Sequence, residues 1–266
     1  MPHKPKLGQN FLRDQTAIRR IVAALGDISH QTVVEIGPGQ GAITGLLASQ
    51  AARVIALELD RELAPRLRAF LGSEKVTVFE QDVLQFDFSA ASAQANQKLA
   101  IVGNLPYYIT SPILLKLAQS ASGLDRAVLM VQREVADRIV AQPGSRDYGL
   151  LSVTVQMYGP VERLFTLPPG AFSPPPDVHS TVFRWRFAPR FHELGLEENP
   201  FLQLARQVFA QKRKTLANNL RAAKYPGDAV AAALTSTAIP PQSRAEELSL
   251  ESLAHLFLAL KNDPAS

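Results

Sequence analysis

A chain of 266 residues, 46% of them apolar, is long enough for one large domain and a small one and carries enough hydrophobe for a real core. It contains no cysteine, which excludes disulfides, zinc–thiolate centres and a cysteine nucleophile. No metal is expected. A formal charge of only +4 excludes a uniformly basic chain and leaves the question of a polyanionic partner to how the charges are distributed.

The opening MPHKPKLGQNF has no apolar core of a secretory signal, and no later apolar run is long enough to span a bilayer. A cytoplasmic location with no membrane contact is expected. Residues 14–25 place Ala17, Ile18, Ile21, Val22 and Leu25 at helical spacing. TVVEIGPGQG then reads as a buried strand entering a glycine-rich turn, continued by the helix AITGLLASQ. RVIALELD is a second strand, ELAPRLRAFLG a helix with Gly72 as its C-cap, KVTVFEQDV a third strand and LAIVGNLPYY a fourth. PILLKLAQSA is helical, RAVLMVQ a fifth strand, and LLSVTVQMY and HSTVFRWRF a sixth and seventh. Strands alternating with helices predict an α/β fold with a parallel sheet, and the Pro-rich LPPGAFSPPPD, too short for a crossover helix, predicts antiparallel neighbours at its end.

After Phe187 the pattern changes. FAPRFHELGLEENP reads as a linker and FLQLARQVFAQKRKTLANNL as a helix. Leu250, Leu253, Ala254, Phe257 and Leu260 form a final apolar stripe. The expected organisation is an α/β domain over 1–187 and a small all-α domain over 188–266. Base clusters in two places: Arg206, Lys212, Arg213, Lys214, Arg221 and Lys224 without an intervening acid, and Lys4, Lys6, Arg13, Arg19 and Arg20 against Asp14 alone. The clusters suggest nucleic acid; solvated helix faces are the plain alternative.

Four features carry chemistry. Glu35-Ile-Gly37-Pro-Gly39-Gln-Gly41 follows a strand and precedes a helix, where glycines let backbone approach a ligand. The G-x-G-x-G spacing and the acid two residues before Gly37 favour a cationic sulfonium ligand over a pyrophosphate. Glu58 and Asp82 end successive strands, the first placed for ribose hydroxyls and the second for an adenine amino group, with Asp60 the rival of Glu58 or a helix cap. Asn104-Leu105-Pro106-Tyr107 ends the fourth strand. The Asn104 side-chain oxygen and the Leu105 carbonyl can accept from an exocyclic amine and free its lone pair, while Tyr107 offers a stacking face. Finally, the prolines after Phe172 predict a rigid loop that exposes this ring to the opposite face of the base.

Together Gly8-Gln9-Asn10-Phe11-Leu12, EIGPGQGAIT, NLPYYITSP and the F-x-P-x-P-x-V-x-S run from Phe172 to Ser180 resemble the ribosomal RNA adenine dimethyltransferase family. QKRKTLANNL and RAEELSLESL resemble its bacterial branch acting on small-subunit (16S) rRNA. The resemblance spans essentially the whole chain. It implies a Rossmann-like class I AdoMet-dependent methyltransferase sheet with a helical C-terminal domain that contacts RNA, S-adenosyl-L-methionine as methyl donor, and dimethylation of N6 of two adjacent adenosines near the 3′ end of that rRNA within the small subunit or its precursor. A monomer is expected, although the sequence itself does not give the oligomeric state. It places donor contacts on Asn10, Leu12, Gly37, Glu58, Asp82 and Asn104, and base contacts on Tyr107 and Phe172. His179 stands where the family has an acid, and Gln40 where it often has an apolar residue. The rivals are large-subunit rRNA methylases, DNA or protein methylases with an Asn-Pro-Pro-Tyr turn, and an RNA-binding assembly factor.

Overall fold

The structure, a computed structural model, describes residues 10–261. Lys4, Lys6, Gly8 and Gln9 lie outside the described residues. The chain opens with β1 (Phe11–Leu12) and α1 (Gln15–Ala24). It then alternates through β2 (Thr32–Ile36), α2 (Thr44–Gln50), β3 (Arg53–Glu58), α3 (Leu63–Leu71), β4 (Val76–Glu80), α4 (Phe88–Ala95), β5 (Leu99–Asn104), α5 (Thr110–Gln119) and β6 (Leu124–Gln132). Two helices, α6 (Arg133–Val140) and α7 (Leu150–Met157), precede β7 (Val161–Leu167), β8 (Phe172–Ser173) and β9 (Ser180–Arg186). The remainder is helical: α8 (Glu198–Val208), α9 (Leu216–Ala222), α10 (Gly227–Ser236) and α11 (Leu250–Lys261). No helix among the described residues is long and apolar enough to cross a membrane.

Contacts divide the chain into two compact units. The first runs through Ala136 and resumes over Pro160–Ala188; the second takes Asp137–Gly159 and the described residues from Pro189 onward. The sequence boundary at 187/188 therefore lies next to one crossing and leaves out an earlier excursion, in which residues 137–159 join the helical unit.

The first unit is built on a seven-stranded sheet of order β4-β3-β2-β5-β6-β9-β7. The pairs β4–β3, β3–β2, β2–β5 and β5–β6 are parallel; β9 is antiparallel to both β6 and β7. Val33, Val54, Ala56, Ala100, Val102, Val128 and Met130 pack on one side with Ile18, Ile21 and Val22 of α1, Leu47 of α2 and Leu67 of α3. The alternate residues Val34, Ile55, Ile101 and Leu129 are buried too, so both faces are covered and the strands are apolar throughout, which is why they were legible. Asp14 caps α1 by accepting from the Thr16 and Ala17 amides at 2.8 and 3.0 Å.

The expected sixth strand is corrected. LLSVTVQMY is not a strand: Leu150–Met157 is α7, begun where the Gly149 amide donates to Ser152 Oγ at 3.0 Å, and it buries Val153, Val155 and Met157. A short apolar run does not distinguish a buried strand from a buried helix. The strand before the Pro-rich loop is instead VERLFTL, the sheet's edge, whose Glu162 and Arg163 are exposed and mask its pattern. The expected antiparallel relation across that loop holds, between β7 and β9.

The helical unit has its own core, with Phe201, Leu204, Ala205 and Val208 of α8 and Leu253, Leu256 and Leu260 of α11 buried. Phe191 stacks edge-on against Tyr158 and Phe201 at 5.2 and 6.2 Å, so the segment read as a linker is partly anchored in that core. The expected single helix 201–220 is broken. Val208 ends α8, and α9 restarts under a Thr215 cap, whose hydroxyl accepts from the Asn218 amide at 3.3 Å. Asn219 reaches back with its amide to the Val208 carbonyl at 2.8 Å and fixes the bend. Lys212, Arg213 and Lys214 thus lie on an exposed turn.

Candidate active site

In an open parallel sheet a ligand cleft forms where adjacent connections leave in opposite directions at the strands' carboxyl ends. Here that point lies between β2, whose chain continues to β3, and β5, which begins the other half. The cleft is lined by Asn10, Leu12, Glu35, Gly37, Gly39, Glu58, Asp82, Asn104, Leu105 and Tyr107, so nine of the expected site residues or their motif neighbours converge in it with Glu35.

The glycine turn is sterically obligatory at Gly39. Its φ is +58°, and a Cβ there would lie 2.9 Å from the Phe11 ring. Gly37, at φ +66°, donates its amide to the Leu57 carbonyl at 3.0 Å and faces the end of β5, where a Cβ would stand 3.6 Å from the Asn104 carbonyl oxygen. Glu58 is buried and clamps the turn: one carboxylate oxygen accepts from the Gly39 amide at 2.9 Å and the other from the Asp60 amide at 3.0 Å. Burial pushes its carboxyl above the usual range, and these two amides oppose that shift. Asp60 does what a cap does, accepting from the Glu62 and Leu63 amides at 2.8 and 3.2 Å. Asp82 caps the turn after β4 through the Leu84 amide at 2.9 Å while lining the cleft.

The motif marks Glu35 only as the acid before the glycine turn, but the structure gives it a site of its own. It is fully buried in β2, its Oε2 has no hydrogen-bond partner among the described residues, and burial raises its carboxyl from the ordinary 4.5 to about 7, with the Thr44 hydroxyl opposing and the Glu58 charge adding to the shift. A buried carboxylate oxygen without a donor awaits a cation or a proton.

The Asn104 amide donates through Nδ2 to the Asn10 carbonyl at 3.0 Å. A carbonyl can only accept, so this contact fixes which end of the amide is nitrogen and leaves Oδ1 as an acceptor at the cleft. Leu105 buries its side chain and donates its amide to the Met130 carbonyl at 2.9 Å. The turn is locked by Thr110, whose hydroxyl donates to the Pro106 carbonyl at 3.1 Å. Tyr107 is half-buried, its hydroxyl paired with Ser180 Oγ at 2.7 Å. Burial holds its phenol above the usual range. Asn10–Asn104 and Tyr107–Ser180 thus join three motifs that are far apart in sequence.

Phe172 is the corrected residue. It is only 4% exposed, paired in β8 with Leu12 of β1, and belongs to the apolar core. The prolines follow it and shape the loop beyond, while pairing with β1 turns its ring inward. The aromatic that is open at the cleft is one the sequence reading passed over, Tyr108, which lines the cleft and is 61% exposed. Of the two departures, Gln40 accepts from Arg13 at 3.5 Å, and His179 is exposed with its carbonyl accepting from the Arg133 amide at 3.0 Å.

Comparison with known proteins agrees over the full length. Residues 2–262 match the family described as ribosomal RNA adenine dimethylase. Proteins named ribosomal RNA small subunit methyltransferase A are 61% identical over 98% of this chain and 92% of the relative in Acidobacterium capsulatum, and 50% identical over 97% and 94% in Koribacter versatilis. Among solved structures, a dimethyladenosine transferase from Plasmodium falciparum superposes with a TM-score of 0.80 at 23% identity, over 93% of this chain and 96% of that one. The 23S rRNA methyltransferase ErmE gives 0.72 at 27%, over 95% and 100%. With a seven-stranded Rossmann-like sheet, a strand-end cleft of matching motifs and relatives at this identity, the chain belongs to the ribosomal RNA adenine dimethylase family.

Proposed function

We propose that this chain transfers methyl groups from S-adenosyl-L-methionine to N6 of two adjacent adenosines near the 3′ end of 16S rRNA, giving N6,N6-dimethyladenosine during small-subunit biogenesis. The observation that carries the reading is the anchored Asn104 amide, whose oxygen is held at the end of β5 beside the Leu105–Pro106 turn and across from the glycine turn.

The cleft residues fit the donor. The unpartnered Glu35 oxygen suits a cationic group, the left-handed backbone at Gly37 and Gly39 and the Phe11 ring against Gly39 keep the turn free of side chains, and Asp82 lines the cleft as an acceptor for an adenine amino group. Glu58 keeps lone pairs for ribose hydroxyls beyond its two amide contacts, and Asn10 and Leu12 border the same space. Bound there, the donor supplies an activated sulfonium methyl group.

The remaining work falls to the chain. An exocyclic adenine amine is a poor nucleophile because its lone pair is delocalised into the ring. Asn104 Oδ1 and the Leu105 carbonyl accept from its two N–H groups and draw the nitrogen toward tetrahedral geometry. Catalysis is then chiefly positioning and electrostatics. In the second transfer a single N–H remains, so one acceptor suffices. Tyr107, pinned through Ser180, gives the base a stationary ring face. The exposed turn Lys212-Arg213-Lys214 supplies phosphate contacts in the small subunit or its precursor. We place the protein in the cytoplasm as a monomer. The test is incubation with labelled donor and unmethylated small subunits, followed by nucleoside analysis. Labelled dimethyladenosine is expected; label in large-subunit RNA alone overturns the assignment.

A further inference from the structure

Among the described residues, five large apolar or aromatic side chains are conspicuously exposed: Leu59, Phe70, Phe79, Tyr108 and Val178. Only Leu59 and Tyr108 of these line the cleft. Tyr108 sits in the tight turn Tyr107–Ile109 that leads into α5, one residue beyond the ring already assigned to the target base. The two neighbouring tyrosines are treated differently. Tyr107 is half-buried with its hydroxyl tied to Ser180, whereas Tyr108 is 61% exposed at the rim. The turn is not loose: Thr110 fastens it to the Pro106 carbonyl, and the Ile109 amide donates to that same carbonyl at 3.2 Å. An exposed ring on a fixed turn is preorganised, because little remains to be ordered when a partner arrives.

A base that reaches Asn104 must leave its stack, and its departure strips a face from the next base in the strand. That neighbour pays the cost of unstacking unless the protein offers a replacement face, which any aromatic ring can do. Resting on the function proposed above, we propose that Tyr108 is the stacking platform for the purine adjacent to the adenosine being methylated. Because the strand runs in one direction through the cleft, the platform takes the neighbour on one side only: the other target adenosine during one of the two transfers, and the nucleotide beyond the pair during the other. Tyr108 is therefore a substrate-positioning residue, outside the group that touches the reacting nitrogen.

The experiment measures KM and kcat on unmethylated small subunits, together with S-adenosylhomocysteine affinity by calorimetry, for the wild type, Tyr108→Phe, Tyr108→Leu and Tyr108→Ala. Loss of one base stack raises KM for the subunit roughly five- to hundredfold in the Ala and Leu variants, with kcat nearly held. Tyr108→Phe matches the wild type, and nucleoside affinity is the same in all four, which also shows that the cleft has folded. Three results overturn the proposal: an unchanged KM in Tyr108→Ala; rescue by Leu as complete as by Phe, which makes the residue plain apolar cover; or a loss of nucleoside affinity without a change in subunit KM, which makes it a cover for the donor. A wild type that fails to methylate subunits at all refutes the function first, and this proposal with it.

Discussion

Replacing Glu35 by Gln isolates the energetic cost of a charge in the sheet. The carboxyl is fully buried, and its proton affinity in the folded protein corresponds to about 7 against an ordinary 4.5. Below pH 4.5 both folded and unfolded chains hold the proton, and the site contributes no pH dependence. Between 4.5 and 7 the unfolded carboxyl ionises while the folded one stays protonated, so the unfolded state is favoured more at each step. Above 7 both are ionised and the full cost is present, about 3 kcal/mol at 1.36 kcal/mol per pKa unit. Glu35→Gln carries no charge at any pH. Its stability relative to wild type should therefore climb by about 3 kcal/mol between pH 4.5 and 8 and be flat beyond. Urea unfolding of both proteins at half-unit pH intervals measures this. A cationic ligand beside Oε2 holds the carboxylate in its ionised form, so donor affinity of the wild type should rise with pH through the same window and that of the variant should not. A stability difference independent of pH would mean that Glu35 is already ionised when folded, and the reasoning from its unpartnered oxygen would fail.

Gly39→Ala should lower donor affinity at least tenfold and lower the melting temperature as well, since it opposes both the left-handed backbone and the 2.9 Å approach to Phe11 at the cleft; equilibrium binding of S-adenosylhomocysteine and thermal unfolding measure the two effects. Tyr148→Phe should be neutral or stabilising by up to about 1 kcal/mol in thermal unfolding, because the hydroxyl it removes is buried without a partner among the described residues while the ring keeps its edge-on contact with Phe209. Changing Lys212, Arg213 and Lys214 together to Gln should reduce the salt dependence of RNA binding by about two to three in log–log slope, as expected for three lost phosphate contacts. An unchanged slope would make them solvent-facing only.

The parallel core was readable because each strand is buried on both faces and so is apolar without interruption, as in TVVEI and LAIVGN. Strand ends were readable too, since ligands gather there, and Gly37, Glu58, Asp82 and Asn104 do line one cleft. Local pattern misleads where tertiary placement overrides it. Val153 and Val155 look like strand residues but pack on a helix, and Glu162 and Arg163 disguise an edge strand. The prolines after Phe172 point to an exposed ring, but its pairing with β1, 160 residues upstream in sequence, decides its burial. Tyr108 was visible in NLPYY, but nothing local says which of two adjacent rings is pinned and which is open.

The chain passes between its two compact units three times, at 136/137, 159/160 and 188/189. The helical unit is consequently not an appendage that can be removed by stopping translation after β9. A chain ended at 188 would retain α7 without α8, uncovering the side of α7 that packs on α8 and leaving the Tyr158 hydroxyl without its Glu198 acceptor at 2.5 Å. During synthesis, residues 137–159 emerge well before the partners that cover them. The second unit therefore cannot close until the C-terminal helices are made, and the catalytic sheet spends that interval attached to an unfinished neighbour.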